Sequence, residues 1–165
     1  MKYTFTILLL ITGLNAFSQN FTREAGIRGG LTPGFTYRQY LDDNLSYEAL
    51  LSFRQGGMQF TLLRQEHEQA LLEYSENIFF VYGFGAHAGY FYSDYYRLYL
   101  NHEVFYRQPK FSPVIGIDAF AGLEYRLETL PLTVALDIKP FFELSTAQFF
   151  KLRVMDLALA VKYRF

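Results

Sequence analysis

Apolar and polar residues alternate with a period of two along most of the chain, and the last segment carries the pattern most plainly. Met155, Leu157, Leu159, Val161, Tyr163 and Phe165 are interleaved with Asp156, Ala158, Ala160, Lys162 and Arg164. A period of two over this length is a strand signal, because successive side chains on a strand point to opposite faces. The same reading holds upstream for Leu132 to Glu143, for Ile115 to Leu127, for Phe80 to Tyr92 and for Tyr47 to Arg54. Near the N-terminus, Ala25 to Arg38 reads as one long strand bent at Pro33, since proline removes a ladder donor. Met58 to Glu68 and Tyr96 to Tyr106 complete the set. The pattern therefore predicts eight strands, joined at about 41–45, 55–57, 69–77, 93–95, 107–113, 128–131 and 145–151, with every connection short.

The facing of the strands decides the class. The polar faces carry Asp118, Glu124, Arg126, Asp137, Lys139, Glu143, Asp156, Lys162 and Arg164 together with many glycines. Eight strands enclose a space only wide enough for side chains, too narrow for all the Ile, Leu, Phe and Tyr of the apolar faces. The apolar faces are thus expected outside and the charges inside. Aromatic residues are expected in two girdles, with Tyr90, Tyr92, Tyr96, Tyr125, Tyr163 and Phe165 at one end and Phe35, Tyr37, Tyr47, Phe80, Tyr106 and Phe142 at the other. An inverted arrangement, a soluble barrel with an apolar ligand cavity, is the competing expectation.

Composition narrows this further. The 165 residues include 19% aromatic residues and no cysteine, so one domain without a disulfide framework is expected. A net charge of -1 without a basic tract argues against nucleic acid as a partner. No uninterrupted apolar run is long enough for a membrane helix. Residues 1–18 combine Lys2, an apolar stretch from Phe5 to Leu14 and small residues at Ala16 and Ser18, the pattern of a cleaved secretory signal peptide. Residues 19–165 then form the barrel domain. Gln19 rather than a cysteine follows the expected cut, so no lipid anchor of the bacterial lipoprotein kind is expected.

With an export signal, short alternating strands and the ending Val161-Lys162-Tyr163-Arg164-Phe165, the chain resembles a small bacterial outer-membrane β-barrel. The resemblance is nearest the eight-stranded OmpX and OmpA-transmembrane-domain type. Gly29-Gly30, then Gly34-Phe35-Thr36-Tyr37-Arg38 and Leu51-Ser52-Phe53-Arg54-Gln55-Gly56-Gly57, look like the Bacteroidota members of that group. It implies an antiparallel up-and-down transmembrane barrel in the outer membrane of a Gram-negative cell, with both termini periplasmic. It also implies that Val161, Tyr163 and Phe165 carry a signal read by the barrel-assembly machinery, and that outer-membrane lipid surrounds the wall.

Candidate chemistry is thin. His67, His87 and His102 stand on different segments with no metal-binding spacing, so no metal and no cofactor are expected. Barrel enzymes that deacylate lipid A use a His-x-Ser pair on one strand, but Gln69, Gly89 and Val104 occupy that spacing here. The Gly83-x-Gly85 and Gly29-Gly30 pairs have no following helix and read as barrel glycines rather than a phosphate loop. The lumen charges are the most suggestive set. Glu48, Glu103, Asp118, Glu124, Asp137, Glu143 and Asp156 face Arg28, Arg38, Arg54, Arg97, Arg126, Lys139, Lys162 and Arg164, nearly in balance. Buried charges must be paired to be tolerated, so the lumen is expected to be a plug of side chains. The expected function is a non-enzymatic structural or surface role. The alternatives are a small-solute or ion channel, a lipid-modifying enzyme, and a surface over Arg64–Ser75 and Tyr106–Pro113 for lipopolysaccharide, a host protein or a secretion partner.

Overall fold

The computed structural model describes residues 22–54, 56–70, 75–99, 102–146 and 150–165, with 93–99 and 102–110 described by backbone alone. The expected signal peptide over residues 1–18 lies outside the described residues. Ten strand segments follow: β1 (Arg23–Gly30), β2 (Gly34–Asp42), β3 (Leu45–Arg54), β4 (Gly57–Gln69), β5 (Ile78–Tyr99), β6 (His102–Arg126), β7 (Leu132–Ile138), β8 (Phe141–Ser145), β9 (Lys151–Arg153) and β10 (Leu157–Arg164). They make eight staves, because β7 runs on into β8 through Lys139-Pro140, and β9 into β10 through 154–156. Each stave pairs antiparallel with its neighbours, and β1 pairs with both β2 and β10, from Glu24↔Arg164 to Gly30↔Ala158. The sheet is thereby a closed eight-stranded barrel, as the alternation predicts.

The count of eight is right for a reason the alternation did not reveal. The segment read as one strand over Ala25 to Arg38 is a hairpin, β1 and β2, turned over 31–33. Leu31, Pro33 and Phe35 keep the period across the turn, which hides it; the Gly29-Gly30 and Pro33-Gly34 pairs were the signal for a reversal rather than a kink. Conversely, Tyr96 to Tyr106 is no separate stave. It belongs to the outer part of one hairpin in which β5 and β6 continue through the connections expected at 93–95 and 107–113, with register shifts between Ser93 and Tyr95 and between Arg97 and Tyr99, and pair as far as Tyr99↔His102. One stave was missed and one added. At 22 and 25 residues, β5 and β6 are about twice the length a bilayer crossing needs, so this connection is a long two-stranded arm instead of a short loop.

The same two readings scrambled the girdles. The start of β1 and the end of β10 meet at one rim, where Arg23 and Phe165 exchange backbone hydrogen bonds of 3.1 and 2.9 Å. Register puts Tyr37, Tyr47, Phe80, Tyr125, Tyr163 and Phe165 near that rim, and Phe35, Tyr90, Tyr92 and Phe142 toward the other. Missing the hairpin at 31–33 inverted the direction assigned to β3 through β5, and the spurious stave inverted it back.

Facing follows the expectation. Ile27, Phe35, Phe84, Ile117, Leu136 and Leu159 are outward and exposed, Phe84 at 63% and Ile117 at 63%, while Glu24, Arg38, Lys139 and Asp156 are fully buried inside. An inward-facing apolar cavity is thereby overturned. Alternation passes unbroken through Lys139-Pro140: Lys139 points in, Pro140 points out, and its carbonyl accepts from the Ala119 N–H at 2.9 Å. In β9–β10 the phase slips, with Val154 and Met155 both exposed before Asp156 turns inward.

Inward glycines let the wall curve. A Cβ on Gly85 would sit 2.0 Å from the Leu62 carbonyl oxygen of the next stave, and at the tight turn Gly56 adopts a φ of 71°, which L side chains avoid. Gly85→Val is expected to cost at least about 1–3 kcal/mol by the overpacking it forces, while Ala88→Val, on the exposed outer face, is near neutral. Urea unfolding in detergent, followed by circular dichroism, tests the pair; equal midpoints would mean the wall relaxes freely at Gly85.

Candidate functional site: the charged lumen

Residues at every second position of each stave meet inside the barrel, and the sequence there supplies charge, hydroxyl and amide groups. They form two clusters, one near the termini and one toward the opposite end.

The cluster near the termini is built around Arg38, a fully buried side chain on β2. Its guanidinium lies 2.6 Å from Glu48, 2.7 Å from Glu124 and 3.1 Å from Glu24, three carboxylates from three other staves. Lys162 from β10 bridges Glu48 at 3.0 Å and Glu124 at 3.3 Å. Hydroxyls take up remaining oxygens, Thr36 donating to Glu48 and Thr133 to Glu24. A guanidinium presents donors in a fixed planar fork, which suits one cation to several acceptors. Above Arg38, the Tyr40 hydroxyl accepts from Arg38 at 3.3 Å and from Arg126 at 3.2 Å, and Arg126 stacks 3.8 Å from the centre of the Phe79 ring. His67 hydrogen-bonds the Ser46 hydroxyl at 2.8 Å.

The second cluster is a chain. Arg28 bonds Asp137 at 2.6 Å and lies 3.5 Å from Asp156. Lys139 links Asp156 at 3.7 Å to Asp118 at 2.9 Å, and the Asp118 carboxylate accepts from His87 Nδ1–H at 2.7 Å. On its other side His87 lies 3.7 Å from Glu143, which pairs with Arg54 at 2.7 Å and Lys151 at 3.7 Å. Gly116 makes room for this: a Cβ there would fall 2.4 Å from the imidazole. Alongside, Leu63, Val81 and Phe120 form a small dry core on the β4–β6 side of the lumen.

Of the residues expected in the lumen network, Arg28, Arg54, Asp118, Glu124, Asp137, Lys139, Glu143, Asp156 and Lys162 come together in these ion pairs. Arg126 joins through Tyr40 and Phe79 instead of through a carboxylate. Arg164 turns to the rim and donates to the carbonyls of Leu127 at 2.6 Å and Leu130 at 3.2 Å, tying the last stave to the 127–131 loop. Arg97 and Glu103 lie outside the described side chains, as does His102. The sequence reading missed Glu24 altogether, though its place two residues before Gly26 and four before Arg28 puts it on the same inward face. Val161 and Phe165 face outward, and Tyr163 and Phe165 stack with ring centres 6.2 Å apart at the terminal rim. Residues 64–70 lead to the terminal rim and Tyr106–Pro113 lies toward the opposite one, so these parts of the two segments do not form one surface, and 71–74 lie outside the described residues.

Among the described residues no group of three or more His, Asp and Glu side chains could hold a metal ion. No protein-family model matches the chain, and no curated protein matches it at a significant level.

Removing Arg38 leaves three buried carboxylates facing Lys162 alone. Arg38→Met is expected to destabilise the barrel by about 3–5 kcal/mol, the usual effect of breaking a buried ion pair from one side. Adding Glu124→Gln should recover part of that loss, since the two residues share one network. Unfolding midpoints of the two single variants and the double variant measure this; an additive double variant would mean that the cluster is not coupled.

Proposed function

We propose that the chain is an integral outer-membrane β-barrel with a structural or surface role and a plugged, non-catalytic lumen. The observation that carries this is the inversion of polarity. A closed sheet leaves no backbone group unpaired along the seam, its outer face is apolar, and its buried face is charged and mutually paired. In water such an outer face would be an extended aggregation surface; in hydrocarbon it is the solvent-matched one. The aromatic residues near the two rims suit the two membrane interfaces. Secretion through a cleaved peptide over 1–18, recognition of Val161, Tyr163 and Phe165 by the barrel-assembly machinery, and kinship with the OmpX and OmpA-transmembrane type belong to the same reading.

With both termini in the periplasm, the turns over 43–44 and 127–131 face that compartment and the β5–β6 arm stands on the cell exterior. The arm supports a second reading, a surface binding module, since its two strands continue well past the last pairing with β4 and β8. Interlocked ion pairs in a narrow lumen favour the plug over the channel.

Two measurements test this. Leu159 is 55% exposed on β10, so Leu159→Arg is expected to lower stability in liposomes by about 2–4 kcal/mol while wild type fractionates with outer membranes and shifts on gels after boiling. Unimpaired folding of the arginine variant into lipid would overturn the outward facing. In planar bilayers the purified barrel is expected to give no unit conductance steps, and regular steps would replace the plug with a pore.

A further inference from the structure

The barrel wall is uneven at the end away from the termini. β1 pairs with β10 only as far as Gly30↔Ala158, and the chain then turns over 31–33. The eighth stave continues past that point through Met155 and Val154 into β9, and β9 pairs with β8 through Phe141↔Arg153, Phe142↔Leu152 and Glu143↔Lys151. Among the described residues no strand lies against the other edge of β9. Within the described residues the result is a notch in the wall, floored by the 31–33 turn and flanked by a strand edge with no described ladder partner. Such an edge is costly next to hydrocarbon unless something polar meets it.

The two sides of the notch differ in chemistry. Outside, Leu31, Leu152, Val154 and Met155 are apolar and exposed, Met155 at 66%. Inside, Lys151 and Arg153 share the inward face of β9 with Arg54 of β3 across from them. Arg54 and Arg153 lie 5.4 and 5.9 Å from the centre of the Phe141 ring, so the guanidinium groups gather about one aromatic side chain. A single carboxylate, Glu143, serves both Arg54 and Lys151, and Arg153 has no described carboxylate within ion-pair distance. The Arg54 side chain is only 6% exposed, and its Nη1 has no hydrogen-bond partner. Positive charge is in surplus beside a gap with greasy sides.

We propose that this notch binds an anionic membrane lipid, with the headgroup phosphate held by Arg54, Lys151 and Arg153 and an acyl chain lying outside over Leu31, Val154 and Met155. The inference rests on the membrane reading above. A soluble anion would use the bases and leave the apolar sides idle. An added peptide strand would pair the β9 edge and leave the cations unmatched. An anionic amphiphile alone joins the two chemistries in the order the notch presents them, and its phosphate oxygens also accept from the free edge.

Native mass spectrometry of the full barrel, refolded in a neutral detergent and offered equal amounts of dioleoyl phosphatidic acid and dioleoyl phosphatidylcholine, tests this. One phosphatidic acid should be retained with a preference of about tenfold or more. Lys151→Gln with Arg153→Gln should abolish the preference while the gel shift on boiling persists, and Arg64→Gln, on the outer wall toward the terminal rim, should keep it. An unchanged preference in the double variant, or displacement of the lipid by inorganic phosphate at matching concentration, overturns the proposal. Flotation of the same preparation with liposomes separates the two readings: a protein that floats but shows no preference loses the lipid site alone, and one that does not float loses the membrane reading with it.

Discussion

Closure of the sheet through the β1–β10 seam is the constraint on which the other features depend. Once the first and last staves pair, no main-chain edge is left along the seam, and the wall can face a medium that offers no hydrogen bonds. Closure with eight staves also fixes a narrow interior, and period-two alternation sends half of all side chains into it. It is filled by small residues such as Ala135 and Ala160, by a few apolar side chains such as Leu63, Val81 and Phe120, and by groups that consume one another, such as Arg38 with its three carboxylates.

In the membrane setting proposed for it, the interior would hold the barrel by a different means from a water-soluble domain. When the exterior solvent is itself apolar, burial of Leu or Phe brings little advantage, and cohesion shifts to ladder hydrogen bonds and interior polar contacts. Two of the cations span staves that are not neighbours in the sheet: Arg38 on β2 reaches Glu124 on β6, and Lys162 on β10 reaches Glu48 on β3. Such links brace the cross-section, where the ladder alone would allow it to flatten. Ion pairs of this kind contribute more to shape than to net stability, because their desolvation offsets much of the attraction.

Much of this was legible in the residues. Met155 to Phe165 could hardly be anything but a strand, and charges opposite apolar residues in Ile115–Leu127 and Leu132–Glu143 fixed which face was buried. Direction was harder to read, because alternation records the face of a residue and not the sense of the chain. At Leu31-Thr32-Pro33 the period survives a reversal, and from Ser93 to Lys110 one arm contains enough polar residues to imitate a loop, a strand and a loop. The partners inside the lumen were out of reach for a related reason. Glu24, Arg38 and Glu124 are brought together by registers and curvature set by the whole ring, and no local spacing encodes their convergence.

The seam has a temporal side as well. Residues 24–30 pair with 158–164, so the contact that closes the molecule joins almost the largest sequence separation the described chain allows. Hairpins such as β3–β4 can zip locally, but the ring gains its last ladder only after every stave is available, which makes the topology slow to fold and leaves open edges exposed to neighbouring chains in the interval. A chain built this way has good use for an escort until its two end strands meet.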